Sequence, residues 1–592
     1  MEEKEEKVFD ITLIKRLYPY IKPNLRYFII SVALIVGVSL LELVLPYMSK
    51  LAIDNYILRK DWNGLTRIAL LYIGILLIIF FFRYFQTITV SVLGQKAMYF
   101  LRMDIFKKYQ NLDIKFYDTN PVGKILTRIT SDIDALNEML SDVLVGIFGD
   151  IFLIIGVLVA IFLLNWRLAL ISLAFLPILV LAVWIFRIKA RETYRNVRSW
   201  ISTMNAYLQE NIMGIKVIQI FTREMENKKR FKDINTSLYK AQIASIMVYA
   251  IFYPAVEVLG ASVVALILWY GGSKILSGAM TFGSLLAFMT YLERFFYPIR
   301  DLSEKYNIMQ SAMAAAEKVF GLLDTPIVVT SPTNSPVLIK GDVEFRNVSF
   351  AYDDEYVLKN LSFHVYPGEH VAFVGATGAG KSSIMNLILR FYDIQNGEIL
   401  IDGYNIKDIL FSSLRRQIAV VLQEPVLFSG TIAENIRMGE DIPLEEIITA
   451  SKRVGLHQFV ERMRKGYNEG VMERGANLSA GERQLICLAR ALVFDPKILI
   501  LDEATSSIDL QTERLIQQAT EELMKGRTSL IIAHRLSTIV GADRIYVLNK
   551  GKLVEVGTHN ELTQRRGMYW QLYRWQQWEK KAIAVNPKDP IK

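Results

Sequence analysis

Two stretches of the chain carry groups suited to handling phosphate. Residues 375–382 read Gly-Ala-Thr-Gly-Ala-Gly-Lys-Ser. Glycines at this spacing let backbone N–H groups turn inward on an anion, Lys381 adds a point charge for the β- and γ-oxygens, and Ser382 offers a hydroxyl to Mg²⁺. Residues 497–503 read Lys-Ile-Leu-Ile-Leu-Asp-Glu. There Asp502 suits Mg²⁺ through water, and Glu503 stands where a general base polarises the attacking water. An acidic pair alone could equally be a helix cap. Taken with the phosphate loop it implies a protein that binds and hydrolyses ATP, with ATP and Mg²⁺ as its cofactors.

The elements that must position these groups are legible around them. Residues 371–374 are an unbroken apolar run, a strand buried on both faces, and a helix is expected to open near Lys381 after the glycines. Residues 498–501 form a second such strand, whose end delivers Asp502 and Glu503, and 529–532 are also read as a strand. Around 330–336 the composition shifts to turn formers, and beyond it short β-rich runs alternate with helices. The expected organisation is a transmembrane domain over 1–325, a linker over 326–340, an α/β nucleotide-binding domain over 341–580 and a tail over 581–592.

The first half is too apolar for a soluble domain. The 592 residues are 52% hydrophobic with a mean hydropathy of +0.27. Six stretches, approximately 27–48, 68–92, 143–164, 168–186, 243–270 and 282–300, each reach the roughly 20 residues that cross about 30 Å of hydrocarbon. The long connections after the second and fourth carry Lys107, Lys108, Lys115, Lys124, Arg128, Lys189, Arg191, Arg195 and Arg198. By the positive-inside rule these loops, the N-terminus and everything after the sixth span are cytoplasmic. The same loops account for the net charge of +9, so no nucleic-acid partner is implied. The single cysteine, Cys487, reads as a small buried hydrophobe, and no disulfide framework or removable signal peptide is expected.

A specific resemblance rests on further residues. Leu478-Ser-Ala-Gly-Glu482 resembles the signature of ATP-binding cassette proteins, and other elements of that family stand in its order. Tyr352 matches the aromatic that stacks on adenine, and Gln423 the loop glutamine that touches Mg²⁺ and senses the membrane domain. Residues 473–475, Glu-Arg-Gly, resemble the loop that meets the coupling helices. Asp509 matches the dimer-interface aspartate and His534 the switch histidine on the γ-phosphate. Residues 116–119 with Gly123, Arg128 and Asp132 look like the first coupling loop of the exporter branch, and 210–224 like the second. The resemblance implies a half-transporter of the bacterial multidrug or lipid-exporter type: six transmembrane helices with long cytoplasmic helical loops, fused to a cassette.

From that family it also implies an assignment of roles. Glu503, His534 and Gln423 would serve catalysis. Tyr352, Gly375, Ala376, Thr377, Gly378, Ala379, Gly380, Lys381, Ser382 and Ser383 would bind ATP, with Ser382, Gln423 and Asp502 on Mg²⁺. Ser479, Ala480, Gly481, Glu482 and Asp509 would complete the ATP site of a second subunit, so a dimer is required. ATP binding then closes two cassettes, hydrolysis opens them, and the cytoplasmic loops carry the movement to the spans.

Two departures from the pattern bear on this. The usual signature is Leu-Ser-Gly-Gly-Gln; here Ala480 adds a methyl, and Glu482 puts an anion where a phosphate is to be held. Such a signature resembles one side of a heterodimeric exporter, although a homodimer with a drifted signature fits as well. Met472, where the family has glycine, is the second departure.

The residues say little of the cargo; the resemblance implies ATP-driven export of a hydrophobic or amphipathic compound, drug-like or lipid, outward across the cell membrane by alternating access. At about 1.5 Å per residue, Arg83 and Asp150 fall at a common depth and are expected to pair. Glu42 and Glu257 sit higher with no basic residue at their level, and are candidates for a cavity that welcomes amphipathic cations, the alternative being that they are solvated or paired with Arg294. A homodimeric lipid flippase and, from another class, an ATP-gated channel or regulatory membrane receptor are the rival readings. The location implied is the cell membrane, multi-pass, with the cassette in the cytoplasm.

Overall fold

The computed structural model describes residues 11–332, 337–502, 510–532 and 539–575. The chain divides into two compact units, Met1–Gln110 with Val122–Thr325, and Asn111–Pro121 with Pro326–Lys592.

The first unit is helical, and several of its helices are apolar round their whole circumference, the pattern of an element meeting lipid or another helix on every side. Among the described residues four helical stretches are long and apolar enough to cross a membrane: Lys15–Ile57, Trp62–Asn111, Val122–Met213 and Glu224–Leu276. The third runs for 92 residues and holds two of the expected spans. Between them Asn165 leaves helical geometry at φ −163°, ψ 105°. Its Oδ1 accepts the N–H groups of Arg167 and Leu168, each at 3.1 Å, and so caps the next helical stretch. The sixth expected span lies in the helix Phe282–Asp324, which is not among the four and has Glu293, Arg294 and Arg300 along it. Leu25–Leu51 packs on Val145–Ala174, and Leu176–Met213 lies along Glu224–Leu276. Val157, Ile161, Leu168, Ile267 and Phe288 are buried together at the centre.

The charges of the spans pair differently from the expectation. Arg83 donates to the carboxylate of Glu42, not Asp150, and Asp150 is met by Lys305. Arg294 donates to the backbone carbonyl of Glu42 at 2.6 Å and stands 3.9 Å from its carboxylate. Glu42 therefore faces two guanidinium groups and is no lone anion awaiting a cationic cargo. Sequence depth gives the level of a residue, whereas pairing depends on how each helix is rotated, and one residue turns a helix by about 100°. Glu257 is exposed.

The second unit is α/β. Its strands are β1 (Val343–Ala351), β2 (Tyr356–Val365), β3 (His370–Val374), β4 (Asn396–Ile401), β5 (Tyr404–Asn405), β6 (Ile418–Val421), β7 (Gly430–Thr431), β8 (Gly470–Val471), β9 (Ile498–Asp502), β10 (Thr528–Ile532), β11 (Arg544–Asn549) and β12 (Lys552–Gly557). They form an antiparallel sheet ordered β2-β1-β4-β5, a six-stranded sheet ordered β12-β11-β3-β10-β9-β6, and the small pair β7-β8. In the larger sheet β11, β3, β10, β9 and β6 run parallel, and β12 closes one edge antiparallel. The unbroken apolar runs of β3, β9 and β10 are explained by burial on both faces.

The stretch Asn111–Pro121 belongs to this second unit, although in sequence it lies between helices of the first and was expected with the membrane part. Its short helix Ile114–Thr119 packs Ile114 on the core formed by Phe345, Phe350, Phe373 and Ile384. The carboxylate of Asp113 accepts the backbone N–H groups of Val328 and Val329 at 2.8 and 3.2 Å.

Candidate nucleotide site

The order of the parallel strands assembles the site. Ile532 of β10 is in register with Phe373 of β3 on one side and Asp502 of β9 on the other, and Leu501 with Val421 of β6. The carboxyl ends of four adjacent strands therefore carry, in spatial order, the glycine loop, residues 533 onward, Asp502, and the loop with Gln423. Ligands of parallel α/β sheets bind at this edge, where loops leave the strands and helices begin.

The loop from Gly375 to Gly380 connects β3 to the helix Lys381–Ile388. Ala376, Thr377, Gly378 and Ser382 are exposed, whereas Ala379, Lys381 and Ser383 are buried. Gly380 sits at φ +100°, and a Cβ there would stand 2.5 Å from Leu358 Cδ2, so conformation and space both require glycine. The Lys381 ammonium folds over the loop, donating to the carbonyls of Gly375 at 2.8 Å and Ala376 at 3.1 Å. Burial lowers its pKa, opposed by the nearby charge of Asp502. A cation held by two neutral carbonyls in a partly desolvated loop has much to gain from an anion.

Tyr352 stands beside this loop. Its hydroxyl donates to Ser383 Oγ at 3.1 Å and accepts from Asn386 Nδ2 at 3.2 Å. Its ring meets Phe350 and Tyr392 edge-on, with centroids 4.7 and 4.9 Å away. Sequence reasoning did not single out Tyr392 or Asn386. The only trace they leave in the sequence is an aromatic pair, Phe391 and Tyr392, just past the phosphate-loop helix.

The signature residues open the helix Ala480–Val493. Ser479 donates both its N–H and its Oγ–H to Glu482 Oε2, at 2.7 and 2.8 Å, and Glu482 N–H donates to Ser479 Oγ at 3.3 Å. This is a capping box, which satisfies the free N–H groups of the first turn from within the helix. Gly481 is buried, and a Cβ there would lie 2.1 Å from Thr512 Cγ2 in the helix Leu510–Met524. Ala480 is half-buried, and Met472, Glu473 and Gln423 are exposed. Glu503, Asp509 and His534 lie outside the described residues. The site geometry thus brings together the glycine loop, Lys381, Ser382, Asp502 and Tyr352 within one unit, with Gln423 on the same sheet edge. Ser382, Asp502 and Gln423 are oxygen donors of the kind that Mg²⁺ prefers.

Comparison with known proteins places this arrangement. Residues 28–299 match the model of the ABC transporter transmembrane region, and residues 358–506 that of the ABC transporter cassette. An ATP-dependent lipid A-core flippase of Syntrophus aciditrophicus is 37% identical over 95% of this chain and 94% of its own length. A probable multidrug resistance ABC transporter ATP-binding/permease protein of Bacillus subtilis is 40% identical over 89% of this chain and 79% of its own. A fatty acid ABC transporter ATP-binding/permease protein of Mycobacterium bovis is 40% identical over 81% and 76%. The chain therefore belongs to the ABC transporter family, as a membrane exporter whose transmembrane region and ATP-hydrolysing cassette are carried on one polypeptide.

Proposed function

We propose that this protein is one half of a dimeric exporter that uses ATP to move a lipid or an amphipathic drug-like compound outward across the cell membrane. The observation that carries this reading is the phosphate loop, with Lys381 folded on Gly375 and Ala376 beside Asp502, on a chain whose other half is a transmembrane region. The relatives' printed cargoes, lipid A-core, fatty acid and multidrug, are all compounds that partition into a bilayer. On nucleotide binding the ammonium of Lys381 exchanges its two carbonyls for phosphate oxygens, and Tyr352 offers a ring face to adenine. Bound Mg²⁺, held by Ser382, Asp502 and Gln423, would neutralise charge on those oxygens. Glu503 and His534 act on the attacking water and the γ-phosphate.

The cargo cavity is not a trap for cations at Glu42, whose charge is answered by Arg83 and Arg294. Glu257 alone keeps that candidacy.

Two features support a dimer. The short helix Ile215–Ile220 leaves Ile215, Val217, Ile220 and the following Phe221 exposed. The second unit has a cavity of about 500 Å³ lined by Phe411, Leu422, Val426, Met438, Cys487 and Phe494. Exposed apolar side chains on a helix, and a largely apolar cavity that Arg415, Arg416 and Arg490 also line, are features that a partner subunit would cover.

We further propose that the dimer is a heterodimer. In the reading of the signature as a contact to a partner's ATP, Ser479 Oγ–H would reach the γ-phosphate. In this chain the acceptor of that Oγ–H and of the Ser479 N–H is a carboxylate, a negative charge beside the place a phosphate would take, so in this reading the composite site built on this signature is the weaker of the two.

The test of export is ATP-driven translocation of a fluorescent phospholipid or a lipophilic dye in proteoliposomes containing the purified assembly. Accumulation that needs ATP and is lost in Lys381→Ala supports the reading. ATP hydrolysis with no vectorial movement of any amphiphile, together with ATP-dependent ion conductance, would replace it with a gated channel.

A further inference from the structure

We propose that Asp118 and Tyr392 form a latch through which the seated segment Asn111–Pro121 sets the position of the Tyr352 ring, and with it the affinity of the site for adenine. The proposal rests on the reading of Tyr352 as the adenine platform.

Three holds converge on Tyr352. Its hydroxyl is tied to the phosphate-loop helix through Ser383 Oγ and Asn386 Nδ2, at 3.1 and 3.2 Å. Its backbone carbonyl accepts the ammonium of Lys115 at 2.8 Å, and the same ammonium lies 3.1 Å from the carboxylate of Asp353, the next residue. Its ring is buttressed by Tyr392, perpendicular to it at 89° with centroids 4.9 Å apart. The hydroxyl of Tyr392 donates to the carboxylate of Asp118. Two of the three holds therefore come from Asn111–Pro121: Lys115 grips the backbone, and Asp118 pins the ring that buttresses the platform.

The geometry makes this a coupled arrangement rather than three separate contacts. Tyr392 is only 8% exposed, so if Asp118 withdraws, a phenol hydroxyl is left without its acceptor in a largely dry place, and the ring is driven to reorient. Edge-to-face packing is directional, so reorientation of Tyr392 shifts the preferred place of Tyr352. Burial and the Asp118 acceptor push the Tyr392 phenol well above its usual pKa, so it remains a donor at any working pH. At the other end of the segment Asp113 holds the N–H groups of Val328 and Val329, which lets Asp118 lose its partner without the whole segment letting go. Seating of the segment and recognition of the base are then one equilibrium, and each favours the other by the same factor.

The test compares two ligands of the full-length protein in nanodiscs: Mg-ATP, which carries the base, and Mg-tripolyphosphate, which does not. Tyr392→Phe keeps the ring and removes only the hydroxyl, and Asp118→Asn keeps the shape of the acceptor. Each should raise the Kd for ATP about three- to tenfold, up to the worth of one buried hydrogen bond, and leave the Kd for tripolyphosphate unchanged. Tyr352→Ala should abolish the preference for ATP over tripolyphosphate. If Tyr392→Phe and Asp118→Asn weaken both ligands equally, or weaken neither, the latch is overturned while the platform stands. If Tyr352→Ala keeps the full preference for ATP, the platform reading itself fails and the latch with it.

Discussion

Glu482 closes the first turn of the helix Ala480–Val493. Its carboxylate holds two hydrogen-bond donors of Ser479, and hydrogen bonds to an ionised acceptor are roughly twice as strong as neutral ones. If the signature contacts a partner's ATP as proposed, the phosphate meets a carboxylate already in place. Replacing Glu482 by Gln keeps the cap, since glutamine serves in the same box, but removes the charge. The expected outcome is a rise of about three- to tenfold in steady-state phosphate release by the complete assembly, corresponding to roughly 1 kcal/mol. A rate unchanged in E482Q, with the protein normally folded, would sink the idea that Glu482 competes with nucleotide for Ser479. At this scale much of the site was legible. Lys381, Ser382 and Asp502 are read from neighbours in the sequence, because the loop and the strand end that present them are local structures. Tyr392 was not legible, since its role depends on Asp118, far away along the chain. For Glu42 the alternative held, pairing with Arg294, whereas the expected Arg83–Asp150 pair did not, the rotation of the helices being invisible in a linear depth count.

The elements show the same division. β3 and β9 were recognisable because strands buried on both faces need a continuous apolar run. β1 was not, because its pairing with β2 shifts register between Phe345 and Val348 and again before Phe350 and Ala351, which breaks the alternation by which a half-buried strand is known. The junction between β3 and its helix depends on one backbone conformation. Gly380→Ala puts a Cβ at φ +100° and 2.5 Å from Leu358 Cδ2, a strain of about 1–2 kcal/mol. Thermal unfolding of the full-length protein should show the cassette transition lowered by several degrees. It should also show a smaller upward shift on adding ATP than in the unaltered chain, since the distorted loop binds the ligand less well. An unaltered transition would mean that the loop relaxes without cost.

For the molecule as a whole, the decisive quantity is what stands opposite the signature of this chain. Native mass measurement of the assembly, gently solubilised from its host membrane, should find the 67.8 kDa chain together with a second, distinct chain of comparable size. On the proposed heterodimer, that second chain should differ from this one at the position matching Glu503. A single species at twice the mass would establish a homodimer in which both ATP sites work with Ala480 and Glu482. The two-unit layout was partly legible, because a change from long apolar stretches to alternating strands and helices is a change in composition. The membership of Asn111–Pro121 was legible only through the resemblance of residues 116–119 to a coupling loop, since the domain boundary drawn from composition put the stretch with the membrane part.

That membership sets a clock on biosynthesis. Residues 111–121 leave the ribosome long before Tyr352 and Tyr392, the groups that receive them, have been made. With on the order of 270 residues between Pro121 and Tyr392, at about 5–20 residues per second, the wait is roughly 15–50 s. Throughout that interval Ile114 has no apolar seat and Asp118 no phenol. The segment precedes the rest of its unit in synthesis, so the cassette completes its fold by closing on a piece of chain made before it.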